Sequence, residues 1–105
     1  MNNTCGSYSL YGASVSRDAS VVQNLREAGV IILGKANLSQ WGNFRSRDAD
    51  NAHKSKSSNG WSATGGQTYG VYGPIQDPSG SSSGSCVATT LGLAFAALAN
   101  EVSSV

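Results

Sequence analysis

The sequence has little charge and no long apolar run. Lys, Arg, Asp and Glu make up 12% of its 105 residues, and the formal net charge is +1. This is about half the usual charged fraction. The small net charge predicts no electrostatic footprint for nucleic acid or for an anionic membrane. No apolar run reaches the roughly 18 residues that indicate a membrane span, so none is expected.

Cysteine and histidine are equally scarce. Cys5 and Cys86 are too few for a disulfide framework or a metal site, and Cys86 is expected to be a small core residue. His53 lies in a polar stretch, which favours a solvated residue over a catalytic base. We therefore expect no metal and no cofactor. Residues 1–15 lack a basic start and an apolar run, so no signal peptide is expected and the compartment stays open, with the cytoplasm slightly favoured.

Small residues are abundant instead, and they concentrate in residues 77–105, DPSGSSSGSCVATTLGLAFAALANEVSSV. Residues 79–85 contain only Gly and Ser, and an uncharged apolar run follows them. Because Ser hydroxyls cap the free N–H groups of a helix start, the pattern predicts a helix over residues 83–91 that ends at Gly92. A Ser-lined loop at a helix start is also a place where negative charge can be stabilised.

Two short segments are typical of buried parallel strands. Residues 30–33 (VIIL) and 93–99 (LAFAALA) are apolar on both faces, and each follows a predicted helix that ends at Gly. The first of these helices is predicted to begin after Asp18 as its N-cap and to end at Gly29. Its apolar face comprises Val21, Val22, Leu25 and Ala28.

The predicted fold class is α/β, with helices packed on a few mostly parallel strands. A further short helix is predicted within residues 35–44, starting at Asn37 as its cap. Residues 45–59 are predicted to form a surface loop. Residues 60–74 are predicted to form a turning loop whose aromatic side chains either wall a cleft or cover a core edge. Two apolar strands make a poor core by themselves, so we expect exposed apolar surface and self-association.

Three segments together resemble the amidase signature family. They are residues 29–44 (GVIILGKANLSQWGNF), residues 59–85 (NGWSATGGQTYGVYGPIQDPSGSSSGS) and the apolar continuation to residue 98. The likeness is to fungal and plant-type amidases, and it extends to the opening residues, so it covers essentially the whole chain. It implies that residues 1–105 are a partial amidase signature domain, an internal part of a large mixed-sheet α/β fold.

The resemblance implies hydrolysis of small-molecule amides by a Ser–cis-Ser–Lys triad. In that family an unprotonated Lys acts through a relay Ser, which follows a cis peptide bond, to deprotonate a nucleophilic Ser. The relay position falls on Ser81. Its neighbours Gly80 and Ser82 are the expected substrate- or anion-binding residues. Ser79 stands where the family usually has Gly.

The other two members of the triad do not match. The family's catalytic Lys lies in a KDN-type segment upstream of the part that begins here at Met1, and Lys35 is expected to be a structural residue at a strand end. The nucleophile position falls on Val105, or on Ser104 if one residue is deleted. Residues 102–105 also lack the Gly-Ser turn that supplies oxyanion donors in the family.

We therefore expect an inactive segment of an amidase-family hydrolase. Two alternatives from other functional classes stay open. One is an anion-binding module that uses the helix start at residues 81–85, although the run lacks the Gly-Lys-Ser/Thr ending of a P-loop. The other is a non-catalytic homologue that binds a partner.

Overall fold

The computed structural model describes residues 1–44 and 59–100. Within these ranges the molecule is a small mixed α/β structure with two α-helices and one two-stranded sheet. Helix α1 spans Ser20–Glu27 and helix α2 spans Ser83–Thr90. Strands β1 (Trp61–Ser62) and β2 (Gly66–Gln67) form an antiparallel hairpin. Two 3₁₀ turns, Tyr8–Leu10 and Gln40–Asn43, complete the regular structure.

Both helices end in the same way, at the glycines that the sequence indicates. Gly29 and Gly92 have φ values of +82° and +68°, in the left-handed region that glycine adopts without steric cost. The next amide reaches back into the helix in each case: Val30 donates to the Leu25 carbonyl at 3.0 Å, and Leu93 to the Ala88 carbonyl at 2.9 Å. This is the Schellman pattern. The predicted start of α2 and both predicted glycine stops are confirmed.

The predicted N-cap of α1 is wrong. Ala19 occupies the cap position and makes no side-chain cap bond. The Asp18 carboxylate instead accepts a hydrogen bond from Arg26 Nε at 2.8 Å. An ion pair with a residue two turns further along α1 uses the carboxylate that would otherwise have capped the first turn.

The predicted parallel sheet is also wrong. Residues 30–33 and 93–99, called the apolar segments below, are not strands, and the only described sheet is the antiparallel hairpin. The first amide of each segment is used by the Schellman bond, and no other backbone–backbone hydrogen bond joins either segment to the described residues. Ile31, Leu33 and Phe95 are 82%, 73% and 106% exposed. The segments have the composition of strands, but residues 1–44 and 59–100 offer them no neighbouring strand to pair with.

The helix predicted over residues 35–44 is replaced by an extended segment and the second 3₁₀ turn. Trp41 and Gly42 have φ values of +52° and +64° inside that turn, which an α-helix cannot accommodate. Asn37 does not cap a helix because its side chain bonds to the hairpin. Lys35 lies at the end of no strand, and its Nζ donates to Asn3 Oδ1 at 3.1 Å.

No hydrophobic side chain is buried in the described part of the chain. The fully buried side chains are those of three serines, Ser39, Ser62 and Ser83. Cys86 is exposed, so its predicted place in a core is wrong. The aromatic residues of the 60–74 loop, Trp61, Tyr69 and Tyr72, are all exposed and cover no described core.

Neither α1 nor α2 is long enough to cross a membrane, and no other helix in the described ranges is.

Candidate functional site

The loop that carries Ser81 is held against residues 37–39 at two backbone positions. The Ser39 N–H donates to the Ser81 carbonyl at 2.9 Å, and the Gly84 N–H donates to the Asn37 carbonyl at 2.9 Å. Gly84 fits there because it has no side chain: an added Cβ would lie 2.5 Å from the Asn37 carbonyl oxygen. The backbone on either side of the turn into α2 is therefore anchored to one extended segment.

The Asn37 side chain connects this segment to the hairpin. Its Oδ1 accepts a hydrogen bond from Ser62 Oγ at 2.7 Å. Its Nδ2 donates to three acceptors at 3.0–3.1 Å, namely the Gly60 carbonyl, the Gly66 carbonyl and Thr68 Oγ1. The two donor hydrogens of the amide are thus both used, one of them shared between two acceptors, while Oδ1 takes one of the two hydrogen bonds that it can accept.

The Ser39 side chain makes the next connection. Its Oγ accepts a hydrogen bond from the Gly60 N–H at 2.8 Å, and the residue is fully buried. We call the side chains of Asn37, Ser39, Ser62 and Thr68 the polar cluster. They join the residues before α2 to the hairpin through hydrogen bonds alone, and no buried side-chain polar atom in the described ranges lacks a partner.

Ser81 lies at the edge of the polar cluster and is half-buried. The peptide bond between Gly80 and Ser81 is cis. The Ser81 hydroxyl faces the 3₁₀ turn, where a Cβ on Gly42 would lie 3.8 Å from Oγ. That hydroxyl makes no hydrogen bond with the described residues, so it can both accept and donate one.

The two residues before Ser81 differ in how well they suit the loop. Gly80 has no room for a side chain, because a Cβ there would lie 2.8 Å from both Ser39 Oγ and Asn59 Oδ1. Ser79 has a φ of +60°, a conformation that L-residues adopt at a cost of roughly 1–2 kcal/mol. Its N–H donates to Asp77 Oδ1 at 2.6 Å, and its carbonyl accepts from Ser83 Oγ. Serine in place of the usual glycine therefore puts a side chain on a left-handed residue.

Three of the amide donors at the start of α2 are used within the chain. The Gly84 N–H goes to Asn37, and the Ser85 and Cys86 N–H groups both donate to the Ser82 carbonyl. The Ser82 hydroxyl accepts from the Asn100 N–H at 3.0 Å. These contacts leave the helix start few free donors for an anion, which removes much of the support for an anion-binding module.

The remaining candidate residues are not brought to Ser81. Lys35 is exposed and bonded to Asn3. Ser104 and His53 lie outside the described residues. In residues 1–44 and 59–100, no group of three His, Cys, Asp or Glu side chains could hold a metal ion.

The structure brings in two residues that the sequence analysis does not assign to the site, Asn37 and Ser39. The feature of the sequence that could have identified them is their spacing of two residues. Residues i and i+2 of an extended chain point to the same face, so an Asn and a Ser two positions apart after an apolar run can bind one neighbour together. The interpretation of Asn37 as a helix cap assigns its side chain to its own segment instead.

Comparison with known proteins agrees with the resemblance seen in the sequence. The sequence model of the Amidase family matches residues 1–104. A protein of Arthroderma benhamiae named "Putative amidase" is 55% identical over 103 residues, which is 98% of this chain. A "Probable amidase" of Arabidopsis thaliana is 46% identical over 96% of the chain. A Schizosaccharomyces pombe protein, also named as an amidase, is 43% identical over 96% of the chain.

The matched region is a small part of each relative. The chain spans 16% of the Arthroderma and Schizosaccharomyces proteins and 18% of the Arabidopsis protein. No solved structure matches the chain. Since the family model matches almost every residue, the chain belongs to the amidase signature family.

Proposed function

We propose that this chain is a segment of a domain that hydrolyses the carbon–nitrogen bond of small-molecule amides, and that Ser81 is its relay serine. The observation that carries the proposal is the family match over residues 1–104. The geometry supports it at Ser81, whose carbonyl is anchored by Ser39 while its hydroxyl is unbonded within the described residues.

A relay serine needs both a fixed backbone and a hydroxyl that is free to exchange protons. It gives its proton to an uncharged Lys while it takes the proton of the nucleophilic Ser, whose oxygen attacks the amide carbonyl. The C–N bond then breaks, the proton returns to the leaving amine, and water hydrolyses the acyl-enzyme. The Ser81 hydroxyl must therefore accept one hydrogen bond and donate another, and a bond to the rest of its own loop would compete with both.

We further propose that this chain alone does not turn over amides. Lys35, the lysine of the described ranges, bonds to Asn3 and does not match the catalytic Lys of the family motif. The nucleophile position falls on Ser104 only with a deletion. Residues 1–105 would then be a partial amidase signature domain, within which the Lys segment and the nucleophile turn of the family motif have no match. In the large mixed-sheet fold of a longer domain, the apolar segments would pair with neighbouring strands and become buried.

The inactivity can be tested on the chain itself. Residues 1–105 are assayed with a panel of aliphatic and aromatic amides, and a fluorophosphonate probe reports any activated serine. We expect neither turnover nor labelling. Turnover that disappears in Ser81→Ala but persists in Ser9→Ala, which removes an exposed hydroxyl, would contradict the proposal and require a base elsewhere in the chain.

The role of Ser81 needs a longer domain. The residues of the Arthroderma relative that match residues 1–100 of this chain are replaced by those residues, so that the relative keeps its own nucleophile turn, and amide hydrolysis is compared with the unmodified relative. We expect Ser81→Ala in this graft to lower kcat by about 10⁴-fold or more, because triad members act as a unit. Ser9→Ala should leave kcat unchanged. Equal activity of the two variants would refute the relay assignment.

A further inference from the structure

Ser39 is the residue through which the hairpin reaches the backbone of Ser81. Its N–H donates to the Ser81 carbonyl at 2.9 Å, and its Oγ accepts from the Gly60 N–H at 2.8 Å. Gly60 directly precedes β1, and its carbonyl accepts a hydrogen bond from the N–H of Thr68, which directly follows β2. The same carbonyl also accepts from Asn37 Nδ2. Ser39 thus links the loop before α2 to the start of the hairpin.

The space around the Ser39 hydroxyl is fully used. Ser39 has no exposed surface, and a Cβ on Gly80 would lie 2.8 Å from its Oγ. The hydroxyl therefore touches the residue immediately before Ser81 as well as bonding to Gly60. A movement of Ser39 would have to move this part of the loop with it, because close-packed neighbours transmit displacements.

The position of the Ser81 hydroxyl depends on this backbone contact. Among the described residues no hydrogen bond holds the hydroxyl, so only the backbone and the side-chain rotamer fix where it lies. A misplacement of about 1 Å by a change outside the reacting groups can cost roughly 10²-fold in rate. A hydrogen bond that fixes the Ser81 carbonyl therefore also helps to fix the position from which the Ser81 hydroxyl transfers its proton.

We propose that Ser39 is a positioning residue for Ser81: its amide holds the Ser81 carbonyl, and its hydroxyl ties that contact to the hairpin through Gly60. The proposal rests on the assignment of Ser81 as the relay serine. Ser39 itself takes no proton and touches no substrate. Its effect passes through the loop at residues 79–82.

The test uses the full 105-residue chain, labelled with ¹⁵N and ¹³C, and three variants. Ser39→Ala removes the hydroxyl only. Ser39→Pro removes the N–H donor too, and its fixed φ matches the φ of −67° that Ser39 already has. Ser62→Ala is the control, because Ser62 is an equally buried serine whose hydroxyl bonds to Asn37 and Gly65 rather than to the Ser81 loop.

The readouts are hydrogen exchange at Gly60 and Ser39 and the ¹³C shift of the Ser81 carbonyl. In Ser39→Ala we expect exchange at Gly60 to be about tenfold faster, the usual consequence of losing one hydrogen bond. The Ser81 carbonyl shift should move in Ser39→Ala, move further in Ser39→Pro, and stay in place in Ser62→Ala. A merely structural role would give the same Ser81 shift change in Ser39→Ala and Ser62→Ala.

Two outcomes would overturn the proposal: equal responses of Ser39→Ala and Ser62→Ala at Ser81, or unprotected Ser39 and Gly60 amides in the unmodified chain. These measurements do not depend on hydrolysis. A graft in which Ser81→Ala is fully active would refute the relay assignment while leaving the Ser39 contact measurable. Failure of the two proposals can therefore be told apart.

Discussion

The polar cluster and the apolar segments are opposite in composition and opposite in burial. The cluster is built of Asn, Ser and Thr side chains, and it contains the fully buried Ser39 and Ser62. The apolar segments carry Ile31 and Phe95 at 82% and 106% exposure. Ordinary globular domains show the reverse arrangement.

The difference follows from what each kind of group needs. A hydrogen bond is satisfied by one partner of the right geometry, and a few short segments of the chain supply those partners here. Burial of an apolar side chain needs area from several neighbours on every side. In relatives that are about six times as long, far more chain is present to supply such area. In the described residues the polar cluster therefore has its hydrogen-bond partners, whereas the apolar segments remain exposed.

The largest effect is expected when the polar cluster loses its central amide. Asn37→Ala removes the acceptor of the Ser62 hydroxyl and the donor to Thr68 Oγ1 and to the Gly60 and Gly66 carbonyls. The Gly60 carbonyl keeps its bond from the Thr68 N–H, but the other three groups lose the Asn37 contact. We expect the free energy of unfolding to fall by about 3 kcal/mol, since each buried group left unsatisfied costs about 1–3 kcal/mol. Urea denaturation measures the change.

The matched control is Asn24→Ala on the exposed surface of α1. Alanine has the higher helix propensity, so this variant should be neutral or slightly more stable. Similar losses in the two variants would mean that the polar cluster does not stabilise the fold.

A second prediction compares two glycines, one packed against a residue of the polar cluster and one that directly follows an apolar segment. Gly84→Ala would place a Cβ 2.5 Å from the backbone carbonyl oxygen of Asn37 and 2.6 Å from its backbone nitrogen. Backbone atoms cannot move aside as the end of a flexible side chain can. We expect a loss of about 2 kcal/mol. Gly34 follows the first apolar segment, and a Cβ there would meet nothing within 4 Å. Gly34→Ala should change stability by about 0.5 kcal/mol at most. Thermal unfolding of both variants decides the matter, and equal losses would contradict the prediction.

A third prediction concerns the strained residue beside the relay position. Ser79 has a φ of +60°, so Ser79→Gly removes a steric cost and should stabilise the chain by about 0.5–1 kcal/mol after the added freedom of the unfolded chain is subtracted. Ser9 in the first 3₁₀ turn has no positive φ, so Ser9→Gly should lower stability instead. Denaturation midpoints of the pair should move in opposite directions, and a destabilised Ser79→Gly would be the contrary result.

The local features of the fold follow from the sequence. A Gly/Ser run before an uncharged apolar stretch predicts the start of α2, and Gly29 and Gly92 predict where both helices end. Each of these features depends on a few consecutive residues. The backbone conformation of a glycine, or a helix start, is settled within about one turn of chain.

The non-local features do not follow. Residues 30–33 have the composition of a buried strand, but whether they pair depends on a neighbouring strand that composition cannot supply. Asn37 has equal chemical capacity to cap a helix or to bind a hairpin, and the choice depends on where Gly60 and Gly66 lie. Ser81 is assigned through the family resemblance. The residue that anchors it, Ser39, is revealed only by a contact that spans a long stretch of sequence.

The smallest effect on stability is expected in the apolar segments, where the side chains are large. Phe95 is fully exposed, so Phe95→Ser removes no buried area from the chain and should change the free energy of unfolding by no more than about 0.5 kcal/mol. The same change should reduce self-association, because contact between apolar patches of two molecules is the remaining way to remove this surface from water.

Sedimentation velocity over a range of concentrations measures the association, and urea denaturation measures the stability. Tyr72→Ser is the control, since Tyr72 is an 84% exposed aromatic residue outside both apolar segments. Tyr72→Ser should leave self-association unchanged if the apolar segments cause the association. A Phe95→Ser variant that loses several kcal/mol would mean that Phe95 is buried in solution. The contrast between a buried polar cluster and exposed apolar segments would then be wrong for the second segment, because Phe95 would already pack against other residues of the chain.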